Sequence, residues 1–399
     1  MSFEVRLSER AKKIQPSPTL AVTQRAVALR AEGVDVVGFG VGEPDFDTPA
    51  HIKEAAIEAL RRGDTKYTAV GGTPALKRAI ALRLQTDHGV HYAPSEIVVG
   101  CGAKHVLFNL FQVLLDPGDE VVIPAPYWVS YPEMVSLAEG RPVIVPTTEA
   151  GDFKVTPHAL DAAITARTRA VIVNSPSNPT GTAYTRDELR ALADVCVRRG
   201  VLIVSDEIYE ALLYDGHAPT CVASLSPEVR AHTVTVGGAS KAYSMTGWRI
   251  GWACGPEPLV RAVTDLQSQS TSNPTSISQA AVVVALSSPQ DCILEMREAF
   301  RQRRNRMVEL LRAIPGVSCR LPEGAFYTFP DVSRYCESRA LKRPGSDALC
   351  EYLLERHHVA IVSGAAFGAE GHMRLSYATS MSNIERGLER ITAGLRALA

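Results

Sequence analysis

The sequence predicts an α/β fold built on a mostly parallel sheet with helices on both faces. Three observations point there. Short β-branched runs recur through the middle of the chain, among them Ile97-Val98-Val99, Ala170-Val171-Ile172-Val173 and Val201-Leu202-Ile203-Val204. They are continuous rather than alternating, as expected of strands buried on both faces, and helical stretches separate them as parallel connections require. The hydrophobic set makes up 46% of the 399 residues and charged residues 21%, which allows a large core and argues against disorder.

Taken in order, Gln15-Pro16-Ser17-Pro18-Thr19 is turn-rich and leads into a helical pattern through Arg30. Val34 to Phe39 reads as a strand ending in Gly40-Val41-Gly42-Glu43-Pro44-Asp45-Phe46, a loop whose amides can face a ligand. Thr48-Pro49 and Thr73-Pro74 each open a helix with a cap residue and a first-turn proline. Ile97-Val98-Val99 then passes through Gly100-Cys101-Gly102-Ala103 into a helix from Lys104 to Leu115. Val121 to Ile123, Val143 to Val145, Ala170 to Val173, Val201 to Val204 and Thr233 to Val236 are strands, with a helix from Arg186 to Arg199. Near Ser288-Pro289 the sheet pattern stops; a charged helix from Met296 to Leu311 leads into Gly324-Ala325-Phe326-Tyr327 and a mixed α/β tail. The expected division is a large domain over 48–288 and a smaller one made of 1–47 with 289–399. No internal repeat is visible.

Several function classes lose support. A formal net charge of -1 gives no electrostatic case for nucleic acid or an anionic membrane. No run approaches the roughly 18 apolar residues of a bilayer span, and Met1 to Arg10 lacks an apolar leader core. The eight cysteines contain no C-x-x-C pair, which suits a reducing cytoplasm better than a zinc or disulfide framework. His357-His358 point apart and no H-E-x-x-H exists, so no metal is expected.

The chemistry concentrates in Gly238-Ala239-Ser240-Lys241-Ala242-Tyr243-Ser244-Met245-Thr246-Gly247-Trp248-Arg249-Ile250-Gly251. Small residues around Lys241 admit a bulky planar group, and Arg249 offers a fork for phosphate or carboxylate. A lysine so placed can form a Schiff base with an aldehyde such as pyridoxal phosphate. At Gly100-Cys101-Gly102-Ala103-Lys104, free amides at a helix start favour phosphate; the pattern is neither a P-loop nor G-x-G-x-x-G. Asn178-Pro179 is a candidate cis bond in a loop that would set the Asn178 amide on an aromatic hydroxyl. Asp206 leaves the carboxyl end of a buried parallel strand, where open α/β sheets bind ligands.

Together these motifs resemble the class I/II pyridoxal-phosphate aminotransferases of fold type I, and the match covers nearly the whole chain. Gly42-Glu43-Pro44-Asp45-Phe46, Tyr67, Gly102 to Lys104, Asn178-Pro179-Thr180-Gly181, Asp206 with Tyr209, the lysine segment and Arg374-Leu375-Ser376-Tyr377 occur in the family's order. Pro126-Tyr127-Trp128-Val129-Ser130-Tyr131-Pro132 and Met245-Thr246-Gly247-Trp248-Arg249 look like its bacterial and archaeal aspartate branch. The resemblance implies a large domain with a mostly parallel seven-stranded sheet, a smaller α/β domain, and a homodimer with shared sites. It also implies residue roles. Lys241 carries the cofactor as a Schiff base. Asp206 pairs with the pyridine nitrogen, Asn178 and Tyr209 with the ring hydroxyl, and Trp128 stacks on the ring. Gly102, Ala103, Lys104, Arg249 and a neighbour's Tyr67 surround the phosphate. Arg374 and Asn178, with the Gly42 backbone, hold the substrate α-carboxylate.

The implied reaction moves the amino group of L-aspartate to 2-oxoglutarate; aromatic, alanine or prephenate transamination and C–S lysis are the alternatives on the same fold. A PLP-binding regulator would need a further helix-turn-helix region. Relatives of this branch often read Lys-Pro-Ser-x-Thr near the N-terminus, where Gln15 replaces the lysine and Ser17 and Thr19 remain. That loss weakens the case for prephenate. Branch relatives with a lysine at the Lys104 position use it toward acidic substrates, so the resemblance implies that Lys104 meets the distal carboxylate, helped by a partner segment resembling Ser270-Thr271-Ser272. The alternative is that it only neutralises the cofactor phosphate. No arginine lies between Gln267 and Gln279.

Overall fold

A computed structural model describes residues 5–8, 11, 12, 14 and 16–398. Gln15 lies outside the described residues, as do parts of the first ten.

The central sheet has seven strands: β2 (Ile97–Gly100), β3 (Glu120–Ala125), β4 (Arg141–Pro146), β5 (Thr168–Asn174), β6 (Leu202–Asp206), β7 (Thr233–Gly238) and β8 (Gly251–Cys254). A short β1 (Val37–Gly38) precedes them. The order across the sheet is β2-β8-β7-β6-β5-β3-β4, and only β8 runs antiparallel to its neighbours. Consecutive residues of a strand serve opposite faces, because the side-chain period is two. Val121 and Ile123 pack with Val106, Leu110, Phe111 and Val260, whereas Val122 between them packs with Leu160, Leu189 and Leu192. The expected double cover is therefore present.

The helix Arg186–Arg199 begins on a capping box of Thr185 and Glu188 and ends at left-handed Gly200, so local signals fixed both its ends. The helices expected over 104–115 and 296–311 occupy Ala103–Leu114 and Asp291–Arg312. Strand β8 was missed. Gly251-Trp252-Ala253-Cys254 has no β-branched residue, yet all four are buried between β2 and β7.

A third core gathers Phe300, Met307 and Leu311 with Tyr327, Leu353, Leu375 and Ile391 from the C-terminal part, and with Val37 and Phe39 from the N-terminal part. Here β9 (Tyr327–Thr328), β11 (Val362–Ser363) and β12 (Met373–Ser376) form an antiparallel sheet. Strand β1 pairs in parallel with β10 (Val359–Ala360), which is what remains of the strand expected over 34–39.

Candidate active site

Parallel strands end on one edge, and five of them deliver the site there. The register sets Asn174 of β5 beside Asp206 of β6, and Asp206 beside Val236 of β7. Strand β7 runs on to Gly238 and, after a turn, Lys241; β2 ends at Gly100 and β3 at Ala125, three residues before Trp128. Gly251 of β8 faces both Gly100 and Gly238, so the antiparallel strand carries Arg249 back over the start of the helix Ala103–Leu114. Ser244 and Arg249 both adopt positive φ, at 51° and 56°, in this return. Such backbone costs on the order of 1–3 kcal/mol per residue and collects at functional sites.

The edge opens into a cleft of about 470 Å³, lined by Thr19, Gly42, Ala103, Lys104, Trp128, Asn178, Asp206, Tyr209, Lys241, Arg249 and Arg374. These are most of the residues singled out in the sequence, brought from both ends of the chain. Ser17 does not line the cleft but bonds the Thr19 hydroxyl at 2.9 Å. Gly102 sits behind Arg249, where a Cβ would run into the guanidinium. Tyr67 is 91% exposed and away from the cleft of its own chain.

At the floor, the Lys241 ammonium donates to the Gly42 carbonyl at 2.6 Å. Burial lowers its pKa to about 8; Glu43 opposes the fall, while Arg374 and Arg249 add to it. Asp206, 4% exposed, accepts from the Tyr131 hydroxyl at 2.6 Å and the Ile208 amide at 3.3 Å. Burial raises the Asp206 pKa, and those bonds and the Lys241 charge pull it back. The Tyr209 hydroxyl lies 2.8 Å from that of Tyr327, with burial raising its pKa.

Arg374 on β12 is buried, donating from Nη1 to Asn178 Oδ1 at 2.9 Å and from Nη2 to the Gly40 carbonyl at 2.6 Å. Its Nε has no partner among the described residues, and a buried unpaired donor on a permanent cation calls for an anion. Asn178 is itself placed by its amide on Asn174 Oδ1, and Asn178-Pro179 is cis, as expected. At the mouth, Lys104 Nζ stands 4.9 Å over the Trp128 ring.

Sequence reasoning gave no role to Tyr131, Tyr327 or Glu43. Tyr131 anchors Asp206, Tyr327 bonds Tyr209 and lies 4.6 Å under the Arg374 guanidinium, and Glu43 accepts from Thr246 Oγ1 at 2.6 Å. Tyr131 and Tyr327 stood in quoted motifs, but no local pattern marked either as a partner of the site.

A model of the aminotransferase class I and II family matches residues 34–391. The chain belongs to that family. It is 53% identical to the aspartate aminotransferase of Geobacillus stearothermophilus, over 99% of this chain and 100% of that one. It is 49% identical to the aspartate/prephenate aminotransferase of Nitrosomonas europaea, covering 98% and 99%. The crystal structure of the aspartate aminotransferase from Rhizobium meliloti superposes with a TM-score of 0.95 at 47% identity, covering 99% and 100% of the two chains. The fold is thus that of the fold-type I aminotransferases, and the aminotransferase is a pyridoxal-phosphate enzyme.

The residues fit that cofactor. The cleft volume lies in the ~300–1,000 Å³ range of small-molecule sites. At its phosphate end, a Cβ on Gly251 would run into the Ala103 amide, so the glycines leave the helix N-terminus open beside Arg249. At the other end a buried carboxylate waits for a cation.

Proposed function

We propose that this aminotransferase transfers the amino group of L-aspartate to 2-oxoglutarate. The observation that carries the reading is the convergence of Lys241, Asp206 and the unpaired Nε of Arg374 in one cleft. The aspartate assignment draws on the names of the relatives and on Lys104 at the mouth.

Ala103, Lys104 and Arg249, with the Gly102 turn, would hold the cofactor phosphate; Trp128, Asn178, Tyr209 and Asp206 would hold its ring, and Lys241 its aldehyde carbon. Pyridoxal phosphate supplies an electron sink that makes the substrate Cα–H acidic. Asp206 keeps its negative charge where the ring is protonated, and the Tyr131 hydroxyl fixes that carboxylate in place. Arg374 binds the α-carboxylate and so orients Cα toward Lys241. Burial lowers the Lys241 pKa to about 8, so roughly a fifth of it is the free amine at pH 7.4 rather than a trace, and that amine takes the proton from Cα of the donor. In the second half-reaction it returns a proton to Cα of the product amino acid. Lys104 pairs with the distal carboxylate of aspartate or 2-oxoglutarate.

The same reading makes the enzyme a cytoplasmic homodimer, with Tyr67 of each chain serving its neighbour, and divides each chain into a large domain (48–288) and a small one (1–47 with 289–399). Support comes from the exposure of Tyr67, from β1 pairing with β10, and from free thiols at all eight cysteines. No helix among the described residues is by itself long and apolar enough to cross a membrane.

The test is glutamate formation from 2-oxoglutarate by the purified enzyme, with oxaloacetate as the co-product when aspartate is the donor. L-aspartate with 2-oxoglutarate should outperform L-alanine and L-phenylalanine as donors in kcat/KM, and Lys241→Ala should be inactive. A neutral donor preferred over aspartate would overturn the substrate assignment.

A further inference from the structure

A second cavity, of about 430 Å³, lies beside the first, and Ile208 lines both. It reaches solvent separately, at exposed Thr86, Pro219 and Leu294. Its inner wall is apolar, formed by Ile80, Leu84, Trp252, Leu286 and Ile293. None of its polar groups serves transamination.

Two charged pairs in the wall neutralise themselves. Arg83 is bonded to Asp87, and His88 Nε2 lies 2.8 Å from Glu210. Burial would push the His88 pKa down, but the Glu210 carboxylate more than offsets this and holds it raised. Glu207 is different. It is only 4% exposed, and its Oε1 accepts from Ser205 Oγ at 2.7 Å and the Val222 amide at 2.9 Å. Its Oε2 has no partner among the described residues. Burial, reinforced by Glu210, pushes the pKa of this carboxyl up. A buried acceptor left without a donor is destabilising, and a donor brought from outside relieves it.

We propose that this cavity is a second ligand site, taking a small organic cation whose N–H bonds Glu207 Oε2 and whose apolar body lies against Trp252, Leu286 and Ile293. A cation is favoured over a neutral donor at the Glu207 end because no base is bonded to that carboxyl, although His88 acts on it through space and Arg297 also lines the cavity. The aromatic faces of Tyr243 and Trp252 suit a positive head as well. The site is separate from the transamination cleft and does not depend on which donor that cleft prefers.

The probe is N,N-dimethylbenzylamine, a tertiary amine that cannot condense with an aldehyde cofactor. Isothermal titration of the holoenzyme should show it binding about ten- to a hundred-fold tighter than benzyl alcohol, the margin of one charge-assisted hydrogen bond. Glu207→Gln keeps an acceptor for Ser205 and Val222 but removes the charge, and should erase that margin while leaving benzyl alcohol unchanged. Leu294→Trp, at the exposed mouth, should weaken both probes. This second variant, with the probe pair on the wild type, decides the matter if Glu207→Gln does not fold. Equal binding of the two probes, or amine binding indifferent to Leu294→Trp, would overturn the proposal.

Discussion

The two ends of the active-site cleft are built differently. At the inner end, Asp206, Tyr209, Asn178 and Arg374 are buried and held by bonds within their own chain: Tyr131 on Asp206, Tyr327 on Tyr209, Gly40 on Arg374. At the outer end, Arg249 and Lys104 are exposed, and Tyr67, assigned to the same phosphate by resemblance, projects away into solvent. The inner end is preorganised, so its charges act in a low dielectric and removing one is costly. In the proposed homodimer the outer end is half a site. Its groups act through water until a neighbouring chain covers them, and single changes there should cost less.

The sharpest way to break this contrast is at the inner end. Asp206→Asn keeps the shape of the side chain and removes its charge. The variant should fold with near-normal thermal stability, yet lose roughly a thousandfold in kcat. Near-normal turnover would place the electronic role elsewhere.

The inner end was also where the sequence was most legible. Asp206, Asn178 and Lys241 each follow a β-branched run, so their place on the strand-end edge could be read from pattern alone. Their partners could not. Tyr131 meets Asp206 across 75 residues and Tyr327 meets Tyr209 across 118, and no local period records such contacts. Strand β8 escaped for a related reason: Gly251-Trp252-Ala253-Cys254 is a strand because β2 and β7 flank it, through packing rather than propensity. At the outer end the phosphate-binding character of Gly100 to Lys104 and of Arg249 was legible, but a role for Tyr67 came only from the family's order of motifs, since a contribution to a neighbouring chain leaves no trace in one chain's pattern.

Next in size is Lys104. Lys104→Met should lower kcat/KM for aspartate and glutamate by about ten- to a hundred-fold and leave alanine and phenylalanine little changed. Steady-state kinetics on the four donors reads this directly. Equal losses for all four would assign Lys104 to the cofactor phosphate and remove the local support for acidic substrates.

The smallest effect belongs to Tyr67. Tyr67→Phe should weaken cofactor binding about tenfold. Mixed dimers of Lys241→Ala and Tyr67→Phe chains contain one site with an intact Lys241. If the neighbour donates Tyr67, that site recovers wild-type cofactor affinity, measured by equilibrium dialysis. If it keeps the weakened affinity, Tyr67 serves its own chain.

Everything at both ends is arranged around one amine. Borohydride reduction of the holoenzyme, followed by peptide mapping, asks where the cofactor is attached. The account predicts a single pyridoxyl-labelled peptide with the label on Lys241; label recovered on any other lysine would contradict it.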